Sequence, residues 1–238
     1  MSDSKVLGKS GVLSGNQLKI IALVAMTCDH VGKELLPKYE ILQIVGRLAF
    51  PIFAYMIAEG CRYTRNRRKH LLQVALVALL CQIVYFAAEG SLFQCILVTF
   101  SLSIGMIYVI DYAKKKRTAT AWLGAVVFCG AVWFFSVMLP VVLKGTDFAV
   151  DYGIWGILLP VVVYFVPEKM EVSAVIAMLV PLCLELGGIQ RYALLAAPLL
   201  LLYSGKKGKT NMKHLFLTYY PAHMACIYLL SLLIKGDS

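Results

Sequence analysis

The chain has 238 residues, of which 60% are hydrophobic and only 15% charged, with a mean hydropathy of +0.77. That balance excludes a soluble globular domain and defines an integral membrane protein. A net charge of +10 and a pI near 9.3 raise nucleic acid as a partner. The positive residues, however, fall in short clusters between apolar runs and are not interleaved with aromatics, so the lipid bilayer and not nucleic acid is the expected partner.

The polar stretch 1–16 precedes a single membrane region over 17–238. The first apolar run ends in Asp29-His30 and has no small-residue cleavage site, so it is expected to be retained. With about 20 apolar residues to a span, and shorter helices allowed inside a bundle, nine helices are predicted. They lie near 18–33, 41–61, 70–88, 93–111, 118–142, 153–166, 172–186, 189–203 and 213–233. The fold class is therefore all-α, a polytopic transmembrane helical bundle of about nine helices.

Charge asymmetry orients it. With the N-terminus cytoplasmic, alternate connections hold Lys5, Lys9 and Lys19, the Arg62–Lys69 cluster, Lys114 to Arg117, Lys169, and Lys206, Lys207, Lys209 and Lys213, seventeen of the twenty-three positive residues. The opposite connections hold Lys33, Lys38, Lys144, Arg191 and Lys235, and Arg47 is intramembrane. A multi-pass protein of the cell (cytoplasmic) membrane follows. The seven cysteines form no C-x-x-C pair, so neither disulfides nor a metal site is indicated.

A charged or titratable side chain within a span costs about 2.5–3.5 kcal/mol on insertion scales, which makes each one a functional candidate. Lys19 and His30 are eleven residues apart on the first helix, hence on one stripe and about 16 Å apart along the axis. His30 reads either as a general base or as an imidazole bonded to nearby backbone. Asp29 points about 100° away from it and is better placed to pair with Arg47, which enters the second helix at similar depth. Arg47 can equally polarise a carbonyl oxygen.

Glu59 has nearby cations as ion-pair partners. Arg62, Arg65, Arg67, Arg68 and Lys69 mark topology and also suit the phosphates of a nucleotide-like donor. Asp151-Tyr152-Gly153 followed by Gly156 opens the sixth helix, with Asp151 either its N-cap or a carboxylate orienting a reacting group. Tyr219, Tyr220 and His223 put two phenols and an imidazole at membrane depth, as a packed cluster or a tunnel lining. No P-loop, G-x-G-x-x-G, G-x-S-x-G or H-E-x-x-H occurs, so any chemistry is assembled from different helices.

LKIIALVAMTCDHVG, IVGRLAFPIFAYMIAEGCRYTRNRRKHL, DYGIWG and FLTYYPAHM resemble, in order and character, the TraX family of membrane proteins associated with N-terminal acetylation of conjugative pilin. The resemblance runs from about Leu18 to the last helix. More distantly, Lys19-x10-His30 is similar to the Arg-x10-His pattern of acyltransferase-3-type transmembrane acyltransferases, with Lys in place of Arg. It implies acetyl-CoA as donor substrate near Lys19 and the basic cluster, and His30 as the base, while Arg47, Asp151 and His223 match family motif positions. The expected catalytic set is His30, Arg47, Asp29 and Asp151, and the expected substrate-binding residues are Glu59, Tyr152, Tyr220 and His223. The acceptor would be a pilin N-terminus, a glycan or a small amine. A proton-coupled transporter and a non-catalytic pilus or secretion assembly factor stand as the alternatives.

Overall fold

The computed structural model describes residues 11–208 and 212–236. Most of the polar N-terminal stretch, with Lys5 and Lys9, lies outside the described residues, as does Lys209. Among the described residues there is no strand, and the helices fall into nine segments, four of them long and apolar enough to cross a membrane: Glu40–Tyr63, Arg67–Glu89, Ile96–Lys116 and Ala119–Val142.

The first helix, α1 (Gly15–Glu34), starts earlier than its hydropathy suggests because Ser14 and Gln17 form a capping box: each side chain satisfies the other's backbone N–H. The second segment is broken. α2 (Glu40–Gly46) ends at Arg47, and α3 (Ala49–Tyr63) restarts after Leu48, just ahead of Pro51, which has no N–H to continue a ladder. α4 (Arg67–Glu89) is capped by the Asn66 side chain and ends at Gly90 in the left-handed region.

α5 (Ile96–Lys116) and α6 (Ala119–Trp133) follow, α6 passing through a π-helical turn at Phe134–Met138 into α7 (Leu139–Val142). α8 (Gly153–Phe165) stops before Pro167. A 3-10 turn at Glu168–Met170 then leads into α9 (Glu171–Leu186). The segment read as a helix over 189–203 is helical over Gly188–Leu201, though not as one α-helix. It opens as a 3-10 helix, Gly188–Leu195, after two glycines at positive φ, and only the six residues of α10 (Ala196–Leu201) are α-helical. The last helix is α11 (Lys213–Gly236).

The chain divides into two compact units. Unit 1 combines residues 11–56 with 167–208 and 212–236. Its core lies where α1 packs on α2 and α11, around Leu23, Ala25, Met26 and Ala49. The start of α1 is tied to the strand-like segment after α10 by Leu13 N–H to Leu202 O, Ser204 N–H to Leu13 O and Gly15 N–H to Lys206 O, each 2.8 Å.

Unit 2, Ile57–Val166, is built on α5, which packs against α4, α6 and α8. Gln94 N–H bonds Ala149 O (2.8 Å) and Asp151 N–H bonds Gln94 O (3.0 Å), so the entry to α8 is held against the start of α5. In the same region the Asp147 carboxylate accepts from the Ser91 hydroxyl and the Leu92 N–H, which holds it below the usual carboxylate range. α4 exposes Leu72, Leu76, Leu79, Ile83 and Phe86 along one face. Water would penalise that stripe, whereas hydrocarbon accepts it.

Candidate functional site

The polar groups of unit 1 converge on α1. Thr27, Asp29 and His30 lie within a single turn of its C-terminal half, and helix geometry sends Asp29 toward α2 and His30 toward α11. Asp29 is 7% exposed and Arg47 9%, which demands compensation for two buried charges. The compensation is direct: Arg47 Nη2 donates to Asp29 Oδ1, and Lys33 Nζ, one turn on, donates to Oδ2 at 2.5 Å.

Gly46 makes this contact possible. A Cβ there would lie 2.3 Å from the Asp29 Cβ, so only glycine lets α2 approach α1 so closely. The rest of the Arg47 guanidinium is also used, with Nη1 donating to Gln190 Oε1 (3.1 Å) and Nε to Gln43 O (3.3 Å). The ion pair allowed by the hairpin is present and is extended by a glutamine from the 3-10 segment.

On the α11 side, His30 Nδ1 and His223 Nε2 are 2.8 Å apart. The other His223 nitrogen, Nδ1, lies 2.9 Å from Tyr219 O, which can only accept. This assigns the tautomers. With both rings neutral, His223 carries its proton on Nδ1 and accepts at Nε2, so His30 donates from Nδ1 and keeps its lone pair on Nε2.

The same logic orients Tyr219. Thr27 Oγ1 donates to Leu23 O at 2.9 Å, so the 2.8 Å contact with Tyr219 is made by the phenol donating to Thr27. Tyr219 stacks on His223 with ring centroids 5.2 Å apart, and Tyr220 meets the same ring edge-on at 5.5 Å. Packing thus fixes the imidazole that holds His30. Lys19 lies on the same helix, half-buried, eleven residues before His30.

The remaining candidates belong to unit 2. Glu59 accepts from Arg62 Nη1 at 2.9 Å, and Arg62 Nη2 donates to the carbonyls of Val163 and Tyr164 at the end of α8. Arg67 pairs with Asp111 and stacks over Tyr108, 5.1 Å from its centroid. Two of the five clustered cations are therefore engaged with protein groups, while Arg65, Arg68 and Lys69 are exposed around the α3–α4 connection.

Asp151 does not occupy the N-cap position of α8. That position falls on Tyr152, in the left-handed region at φ 59°, and no side chain caps it. Thr99 Oγ1 donates to Asp151 O at 2.8 Å, and Gly156 is required because a Cβ would lie 2.5 Å from Tyr152 Cβ. Among the described residues, no group of three or more His, Cys, Asp or Glu could hold a metal ion.

Sequence reasoning missed three participants. Thr27 gave no signal, since a hydroxyl in an apolar helix commonly bonds its own backbone. Gln190 sits in a short apolar run after two glycines and reads as loop. Glu171, fully buried and bonded by the Tyr55 hydroxyl, reads as part of a charged connection.

A helical membrane protein with a partly buried histidine pair on two helices, flanked by a buried ion pair, is the class these features define. A family model narrows it: the TraX protein family matches residues 14–231, and the chain belongs to that family. A probable fimbrial assembly protein, FimC of serogroup H1, from Dichelobacter nodosus is 25% identical over 243 residues, covering 90% of this chain and 94% of the relative. An uncharacterized protein of Rickettsia prowazekii (strain Madrid E) is 47% identical over 38 residues, 16% of this chain and 15% of its own. No solved structure matches.

Proposed function

We propose that this TraX-family chain is an acetyltransferase of the cell membrane, moving an acetyl group from cytosolic acetyl-CoA to an amine or hydroxyl acceptor near the outer face. The observation that carries the reading is the His30–His223 pair. A base must take a proton and tolerate the resulting charge, and it works best when a third group holds it. His30 has its lone pair on Nε2, and an imidazolium formed there is stabilised through the Nδ1–H bond to His223, itself anchored on Tyr219 O.

In the reaction, His30 Nε2 removes the proton of the acceptor as its nitrogen or oxygen attacks the thioester carbonyl. The new C–N or C–O bond forms, the C–S bond breaks, and the departing thiolate takes the proton back from His30. Acetyl-CoA supplies the activated acyl group. Lys19, on the same helix as His30, supplies positive charge for its phosphates on the side that the positive-inside rule makes cytoplasmic. The acceptor is a protein N-terminus such as pilin's, a glycan or a small amine.

A second reading, a non-catalytic assembly factor, is favoured by the name of the Dichelobacter relative. The test incubates purified protein in lipid nanodiscs with labelled acetyl-CoA and three acceptors: a peptide with a free amino terminus, an amino sugar and a small amine. Label is expected on one of them, and to be lost in His30→Ala. Transfer undiminished in the variant removes His30 from its role, and absence of acetyl-CoA binding by the wild type favours the assembly factor.

A further inference from the structure

The histidine pair provides a base but no group to meet the negative charge that grows on the carbonyl oxygen during acyl transfer. Arg47 would be the obvious donor from sequence. Its guanidinium is instead turned onto Asp29, Gln43 and Gln190. Gln190 differs from the other polar groups of unit 1 among the described residues. It is 3% exposed, and its Nε2 is a buried side-chain donor that has no partner.

The orientation of this amide is not arbitrary. Oε1 accepts from Arg47 Nη1, and rotating the amide by 180° would set NH2 against a guanidinium that can only donate. The backbone is held as well, with Gln190 N–H bonded to Gly187 O (3.1 Å) and Gln190 O accepting from Cys183 Sγ (3.4 Å). An orphaned buried donor costs about 1–3 kcal/mol, so one kept in a fixed direction calls for an oxygen acceptor that arrives from outside the protein. The Arg47 guanidinium bonded to the same amide favours an anionic oxygen.

We infer that the Gln190 amide, aligned by Arg47, donates its Nε2–H to the thioester carbonyl oxygen as that oxygen becomes an oxyanion. The inference rests on the acetyltransferase reading and adds the group that stabilises its transition state. Attack on the carbonyl carbon pushes the C=O π pair onto oxygen, which accepts the hydrogen bond from Gln190 Nε2–H. When the pair returns, the C–S bond breaks and the thiolate leaves. Arg47 acts through Gln190 as a positioning residue.

The test compares wild type with Gln190→Glu and Gln190→Met in the labelled-acetyl assay, with melting temperature measured on each. Gln190→Glu keeps an oxygen on Arg47 and replaces the donor with a second oxygen. Gln190→Met has similar length and neither function. Both are expected to lose about 10²–10³ in kcat, the scale of a lost oxyanion donor, with KM for acetyl-CoA within twofold, and Gln190→Glu is expected to melt no lower than wild type. Either variant, folded and within threefold of wild-type kcat, overturns the role and leaves a buried water as the partner of Nε2. A wild type that transfers nothing overturns the acetyltransferase reading, and with it this role, so the two failures are told apart.

Discussion

The two units treat charge in opposite ways. In unit 2 the ion pairs sit at helix ends: Arg62 on Glu59 in the last turn of α3, and Arg67 at the start of α4 on Asp111 near the end of α5. Glu59 is itself buried, but its partner Arg62 is 21% exposed and the Arg67 side chain 32%, so each pair has one partly solvated end. In unit 1 the Asp29 and Arg47 side chains are both 11% exposed and are joined to a buried glutamine, with two imidazoles on the neighbouring helix interface. A fold needing only a topology signal would stop at the unit 2 pattern. Polar groups at such depth are expensive, and their joining into one network in unit 1 is what makes that unit the candidate for function.

That contrast can be broken by substitution. The largest effect is expected from His30→Ala, a fall of about 10²–10⁴ in acetyl transfer read as label turnover at constant protein. His223→Ala should lose less, since the base itself remains. Next comes Arg47→Met, which leaves Asp29 buried with only Lys33. Breaking a buried pair from one side costs about 3–5 kcal/mol, and a lowered thermal midpoint in nanodiscs is the readout. If Arg47→Met melted like wild type, the unit 1 network would be no deeper in effect than the surface pairs.

Gly46→Val tests the close approach that brings α2 onto Asp29. Overpacking of this kind costs about 1–3 kcal/mol, and Gly46→Ala should fall below Val in severity by the same thermal measurement. Asp111→Asn in unit 2 is expected to be the mildest. A pair with one partly solvated end lies nearer the surface value of about 0–1 kcal/mol than a buried pair does, so its melting shift should be the smallest of these and acetyl transfer unchanged. A shift as large as that of Arg47→Met would erase the distinction between the units.

The sequence carried the candidate site unevenly. Asp29 and Arg47 were readable as a pair because a helical hairpin fixes their relative depth, and depth follows from counting residues. His30 and His223 were each readable as costly intramembrane groups. Their contact was not, because 193 residues separate them and no local rule says that α11 packs beside α1. Gln190 carried no signal at all: its neighbours read as loop, and the donor–acceptor arithmetic that singles it out exists only once Arg47 faces it.

Composition and periodicity alone determined the helical membrane class, the placing of most helices and the list of side chains too polar for their surroundings. These are consequences of hydrocarbon thickness and of the 3.6-residue turn, which act on every segment locally. Tertiary structure decided the break at Arg47, the 3-10 character of Gly188–Leu195 and the partners of His30 and Gln190. Each depends on which helix lies against which, a choice made by packing and hydrogen-bond satisfaction over the whole unit. The stripe from Lys19 to His30 was written in α1. That one ring nitrogen of His30 is engaged by His223, leaving the other free of that contact, follows only from the helix beside it.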